Sequence, residues 1–219
     1  MTTNNFTEND RIFYADGYRI GQEALAKGKN ETNIFAGIRK LYEQIDQLND
    51  LIFDQARKSN YPIDCKKGCE WCCHQPVFLL SHEVHFLKSY LGKHLAPDQF
   101  GKVLTVAKDK NDKVEHLSQQ EILNYKSPCP LLVNGVCSAY EARPMACRIY
   151  LSSKVSTCKK FYDDPENKDN YPALLEFPLR AGRMLNEGFR AALKSNGILS
   201  VEFRMEEGLI NHLEVGLLG

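Results

Sequence analysis

Eight cysteines carry the chemistry open to this chain of 219 residues. Cys65, Cys69, Cys72 and Cys73 form a first block, spaced Cys-x3-Cys-x2-Cys-Cys within PIDCKKGCEWCCHQP. Cys129, Cys137, Cys147 and Cys158 form a second, within SPCPLLVNGVCSAYEARPMACRIYLSSKVSTC. Inert core thiols would be scattered among the apolar residues; clustering of this kind points to metal or cluster ligation. Such sites need thiolates converging on one ion or one cluster. As a straight helix the first block would spread its thiols along about 12 Å of axis. Pro62, Gly68 and Pro76 punctuate it, so a loop wrapped around a metal is expected instead. The adjacent Cys72 and Cys73 tend to point different ways and need not serve the same ion. Eight thiols suffice for two four-cysteine sites, or for one site with four accessory cysteines.

Ligation by cysteine alone suits zinc and iron–sulfur clusters. Structural zinc usually comes with two matching Cys-x2-Cys knuckles, which this chain lacks. Bunched cysteines completed by a remote Cys followed by Pro, here Cys129-Pro130, are closer to cluster ligation. An iron–sulfur cluster of the 4Fe–4S kind is therefore expected ahead of zinc. Four thiolates on either leave about two negative charges. Lys66, Lys67, Arg143 and Arg148 stand near cysteines in sequence and can offset that charge or hydrogen-bond to sulfur. Tyr140, with Arg143 and Arg148, is read as support for the sulfurs, with recognition of an anionic partner as the rival role. Trp71 is expected to shield the site from water. His74 is a weaker candidate ligand. His82 and His85, at i and i+3 on a predicted helix, are read as surface histidines.

These loops must be held by helices. Thr7 caps a predicted first helix to about Lys27, with Gly28 as its stop. A second begins near Thr32 and carries the stripe Ile34, Ile38, Leu41, Ile45, Leu48 and Ile52. An antiparallel helix pair packed on the rest is expected. Beyond PVFLL, Ser81 caps a helix to Leu91, and Pro97 opens another through Leu117. Asn134-Gly135 is a hairpin turn between LLV and VCS. FYDDPENKDN reads as a surface loop, Pro178 opens a helix through Leu193, and Ser200 caps a final helix over SVEFRMEEGLINHLE. The fold class is mainly α: one helical domain enclosing irregular cysteine-rich loops, with at most a short hairpin. Residues 1–60 are its arm, 61–160 the cysteine core with a helical insert at about 81–124, and 161–219 a helical tail.

Composition narrows the function. Lys plus Arg and Asp plus Glu both total 28, so no broad cationic face for nucleic acid or an anionic membrane is expected. No run approaches the roughly 18 apolar residues of a spanning helix, and MTTNNFTENDRIFY lacks the features of an export signal. A cytoplasmic location follows, where thiols stay reduced. No glycine-rich dinucleotide or phosphate loop is present.

The patterns CKKGCEWCCHQP and PCPLLVNGVCSAYEARPMACR, with one further Cys, resemble the YkgJ-like cysteine-cluster proteins. These are bacterial proteins described as zinc- or iron-chelating or as containing an iron–sulfur cluster. Cys137, Tyr140, Arg143, Pro144, Cys147 and Arg148 meet every spacing of the family's last motif; Cys129 and Leu131 fit its middle element and Cys158 its final cysteine. The resemblance spans Cys65 to Cys158 and implies a cysteine-ligated metalloprotein whose downstream role is open, including a protein partner or substrate. Two rivals are carried. A flagellin lysine methylase contains a related block, which allows an enzyme of that S-adenosylmethionine-dependent type. The spacing of Cys65, Cys69 and Cys72 also matches radical S-adenosylmethionine enzymes, but it lies between helices and not after a barrel strand. The other rival is a metal chelator or metallochaperone.

Overall fold

The computed structural model describes residues 6–211. Among these the chain is mainly helical: α1 (Glu8–Ala26), α2 (Glu31–Lys58), α3 (Ser81–His94), α4 (Pro97–Val114), α5 (Gln119–Asn124), α6 (Met145–Ile149), α7 (Val155–Asp163), α8 (Glu176–Ser195) and α9 (Met205–Ile210). Two short antiparallel strand pairs complete it, β1 (Phe78–Leu80) with β4 (Glu202–Arg204) and β2 (Leu132–Val133) with β3 (Val136–Cys137).

The arm forms where its caps predict. Thr7 accepts from the Asp10 amide while Asp10 accepts from the Thr7 amide, closing a capping box. Gly28 ends α1 at φ +122°. The stripe of α2 buries Ile34, Ile38, Leu41 and Ile45 completely and then fades, Leu48 and Ile52 staying half-buried. The partner of α1 differs from the expected helix pair: α1 packs chiefly on α8, and α2 lies beside both. Glycines permit this. A Cβ at Gly17 would stand 1.9 Å from the Leu185 carbonyl oxygen, and one at Gly188 2.0 Å from that of Tyr14. Backbone meets backbone at both points and cannot give way. Gly188→Ala is therefore expected to cost about 3 kcal/mol or more, read as a lowered urea midpoint. A loss under about 1 kcal/mol would mean that the helices can separate freely.

The cysteine core is more regular than its prolines suggest. α6 and α7 carry Cys147 and Cys158, and α7 takes in the first residues of the stretch expected to be a surface loop. The hairpin at Asn134-Gly135 forms, with φ of +51° and +77° at its two turn residues.

The second strand pair corrects the expected final helix. Residues 202–204 run as a strand against β1, in the register Phe78↔Arg204, Leu79↔Phe203 and Leu80↔Glu202. The helix starts only at Met205; the predicted positions 212–214 lie outside the described residues. β1 emerges directly from the first cysteine block, so this pair ties the exit of that block to the C-terminal part of the chain.

Ser200 caps nothing. Its hydroxyl is hydrogen-bonded to Nδ1 of His82 at 2.7 Å. His82 is a core residue, not a surface one: it is fully buried, with its ring 5.4 Å from that of Phe189. Burial, with Arg190 and His85 nearby, holds its pKa at about 3, against 6.5 for a free imidazole. Between those values the unfolded chain binds a proton that the folded one refuses. The stability from neutral His82 is thus complete above pH 6.5 and falls as pH drops toward 3. At pH 5 about 2 kcal/mol should be lost relative to pH 7. Urea midpoints at the two pH values measure this, and His82→Leu should flatten the difference; an unchanged difference would contradict the assignment.

Candidate metal centre

The first block is a loop. Cys65 to Cys69 turn back at Gly68, at φ +89°, with the Cys69 amide donating to the Lys66 carbonyl at 3.1 Å. A single 3-10 turn, Trp71–His74, then sets Cys72 and Cys73. In the second block Cys129 precedes the hairpin, Cys137 ends it, Cys147 rides on α6 and Cys158 on the first turns of α7. Backbone hydrogen bonds sew the blocks together: Cys129 N–H to the Cys73 carbonyl at 2.7 Å, Ser127 N–H to that of His74 at 3.0 Å, and Asp64 N–H to that of Ser153 at 3.2 Å. All eight cysteines are free, and both blocks meet in space.

Within this assembly every cysteine but Cys158 lines one large cavity. Cys65, Cys69 and Cys72 also line a small one with Cys158, with Trp71 and Tyr150 on its walls. Burial pushes the Cys65 thiol up, with Cys69 and Cys158 adding to it, and burial likewise raises Cys158, with Cys69 adding. The other four act on one another. Burial pushes Cys147 well above the ordinary thiol range, and Cys129, Cys137 and Cys73 push it further. Cys129 is pushed up to about 12 by burial, with Cys137 and Cys73 adding. Cys137 is raised by burial and by Cys73. The Cys72 thiol donates to Cys73, which raises Cys72 and lowers Cys73, and Cys147 and Cys65 raise Cys72 further. Adjacent in the chain, these two thiols stand side by side and link the two sets.

Tyr140, Arg143 and Arg148 stand between and just beyond Cys137 and Cys147 in the chain and line the same large cavity. Arg148, 2% exposed, donates to the carbonyls of Arg143 at 2.9 Å and Glu141 at 2.6 Å, and to Asp46. Arg143 donates to the Tyr140 carbonyl at 2.8 Å and to Asp46 at 3.2 Å, and its guanidinium lies 4.0 Å from the centroid of the Tyr140 ring. Arg148 therefore clamps the turn before Cys147 onto α2. Arg143 opposes the upward shifts of Cys65, Cys137 and Cys147. Lys66 and Lys67 are exposed. His74 faces the Glu70 carbonyl and the Tyr162 ring and lines neither cavity at the cysteines. Trp71 packs edge-on against Tyr162.

Four supporting residues escaped the sequence analysis. Asp46 receives both arginines. Asn49 donates to the Arg148 carbonyl at 3.1 Å. Glu83, 2% exposed, accepts from the Tyr42 hydroxyl at 2.8 Å and from the amides of Leu80 at 3.0 Å and Met145 at 2.8 Å. Lys110, from the helical insert, is buried and donates to the Ser127 carbonyl at 3.3 Å, where its charge opposes the upward shift of Cys129. Asn49 alone left a sequence signal, a polar residue four positions after Ile45 on the apolar stripe of α2.

Thiols are soft donors, suited to zinc or iron–sulfur and not to hard cations. Among the described residues, however, no three His, Cys, Asp or Glu side chains stand close enough around one point to hold an ion as they are. Desolvation raises Cys65, Cys72, Cys129, Cys137, Cys147 and Cys158, and as thiolates these groups would repel one another; ligation requires them to lose protons and draw inward around the ion.

Residues 64–170 match the family model CxxCxxCC, described as "Putative zinc- or iron-chelating domain". The match covers just under half of the chain, and the first cysteine spacing here is one residue longer than that name. No curated protein matches the chain, and no solved structure does. No helix among the described residues is long and apolar enough to cross a membrane.

Proposed function

From the match of residues 64–170 to this family model, we propose that the protein holds two four-thiolate centres, iron–sulfur in kind. One is held by Cys65, Cys69, Cys72 and Cys158, the other by Cys73, Cys129, Cys137 and Cys147. The observation that carries this is the small cavity that Cys65, Cys69, Cys72 and Cys158 share. Cys73, Cys129, Cys137 and Cys147 line the large one, which Cys65, Cys69 and Cys72 also reach, and act on one another. The placement of Cys72 beside Cys73 makes the two centres neighbours, close enough for electrons to pass between them. Arg143 and Lys110 offset the negative charge of the second centre, and Trp71 covers the first. Eight unpaired thiols suit a reducing compartment, and the cytosol is the location we propose.

The cysteine-only donor set supports iron–sulfur and zinc alike; the bunched first block and Cys129-Pro130 favour the cluster. Anaerobic purification followed by iron, zinc and acid-labile sulfide analysis with an absorption spectrum tests this. A brown protein with iron and sulfide is expected. A colourless protein carrying zinc would replace the cluster while keeping the quartets, and a protein binding neither would end the proposal.

A further inference from the structure

One buried cation comes from outside both cysteine blocks. Lys110 lies on the face of α4 that also buries Val103, Ala107, Asn111 and Val114, and is itself 7% exposed. Taking an ammonium out of water is costly, and an apolar side chain of similar length would pack there without that cost. The charge therefore needs a use.

Two groups face it. Lys110 Nζ donates to the Ser127 carbonyl at 3.3 Å, its one side-chain hydrogen bond among the described residues. The Glu206 carboxylate, 1% exposed at the start of α9, stands 4.0 Å away, and the oxygen nearest Lys110 has no hydrogen-bond partner. Its other oxygen lies 3.4 Å from Arg204 Nε. Glu206 thus weakens the field of Lys110 without taking its hydrogen bond, which goes to the cysteine block.

Ser127 leads directly to Cys129. The first block holds the same stretch, through Ser127 N–H on the His74 carbonyl at 3.0 Å and Cys129 N–H on that of Cys73 at 2.7 Å. Lys110 therefore fastens, from the helical insert, the segment that sets Cys129 beside Cys73. Charge is divided in the same way: Arg143 opposes the upward shifts of Cys137 and Cys147, and Lys110 that of Cys129.

We propose that Lys110 is a positioning residue of the second centre, fixing Cys129 and favouring its bound thiolate, and that Glu206 sets how strongly that charge is felt. The proposal rests on the two-centre reading in placing Cys129 among four ligands. Groups that orient metal ligands are typically worth about 10- to 100-fold in metal affinity.

The test challenges the anaerobically purified protein and its Lys110→Met, Lys110→Arg and Glu206→Gln variants with excess EDTA. Metal loss is followed beside the helical circular dichroism. Lys110→Met should lose part of its metal at least about tenfold faster, the rest leaving at the unaltered rate. Lys110→Arg, which keeps the charge, should restore slow loss. Glu206→Gln, which unmasks Lys110, should lose that metal more slowly than the unaltered protein. A merely structural ion pair would weaken in the same direction whichever partner is removed. An unaltered rate in Lys110→Met, or faster loss in Glu206→Gln, would overturn the proposal, and either variant decides where the other does not fold. An unaltered protein that carries no metal would overturn the two-centre reading as well, so the two failures are told apart.

Discussion

Removing the metal is expected to release the first cysteine block and leave the helices standing. No residue from 54 to 78 is buried, so apolar packing contributes little to holding the loop that bears Cys65, Cys69, Cys72 and Cys73. A structural site of this type supplies on the order of 10 kcal/mol of apparent binding free energy, which becomes folding free energy where the unfolded chain has no site. The second block stands differently. Leu131, Ala139, Ala142, Met145, Ile149 and Leu151 are buried around its cysteines, and α6 rests on α8, where a Cβ at Gly182 would meet Ile149 at 2.2 Å. Limited proteolysis after chelation should therefore cut within residues 65–75 first, with 129–158 resisting longer and α1, α2 and α8 intact. Cys69→Ser should reproduce the early cut. Equal resistance of residues 65–75 with and without metal would show that the cysteines do not organise the loop.

The second large effect is expected at Glu83. Its carboxylate joins α2 through Tyr42, the exit of the first block through Leu80, the start of α6 through Met145 and α8 through Asn186. Glu83→Ala leaves these donors buried without an acceptor, each costing about 1–3 kcal/mol. A total on the order of 5 kcal/mol is expected, enough to unfold a domain of ordinary stability. Glu83→Gln, which keeps one acceptor oxygen, should cost less. Urea unfolding measures both; a loss under about 1 kcal/mol for Glu83→Ala would show that water reaches these donors.

The parts of the fold legible in the sequence are those fixed by local chemistry. Thr7 with Asp10, Gly28, Pro97 and Asn134-Gly135 mark ends and turns through their own backbone preferences, and each does so in the structure. Pairings across the chain were not legible. β1 and β4 are three residues each and lie more than 120 positions apart, too short to show alternation and joined by no local turn. α1 finds α8 through glycines whose spacing on each helix says nothing of the partner. His82 looked exposed because two histidines three apart resemble a polar face; only the Ser200 contact and Phe189 reveal it as core.

At the site, the identity of the cysteines was plain from type and spacing, and the residues behind them were not. Asp46, Glu83 and Lys110 are charged positions of amphipathic helices, and nothing local separates a buried charge from a solvated one. The proposed division into quartets was likewise hidden, because Cys72 and Cys73 are neighbours in one 3-10 turn with their thiols in contact.

Anomalous diffraction from crystals of the anaerobically purified protein, recorded at the iron and zinc edges, tests the two-centre account most directly. Two separate peaks are predicted, one enclosed by Cys65, Cys69, Cys72 and Cys158 and the other by Cys73, Cys129, Cys137 and Cys147. A single peak, or a peak whose cysteines are drawn from both quartets, would contradict it.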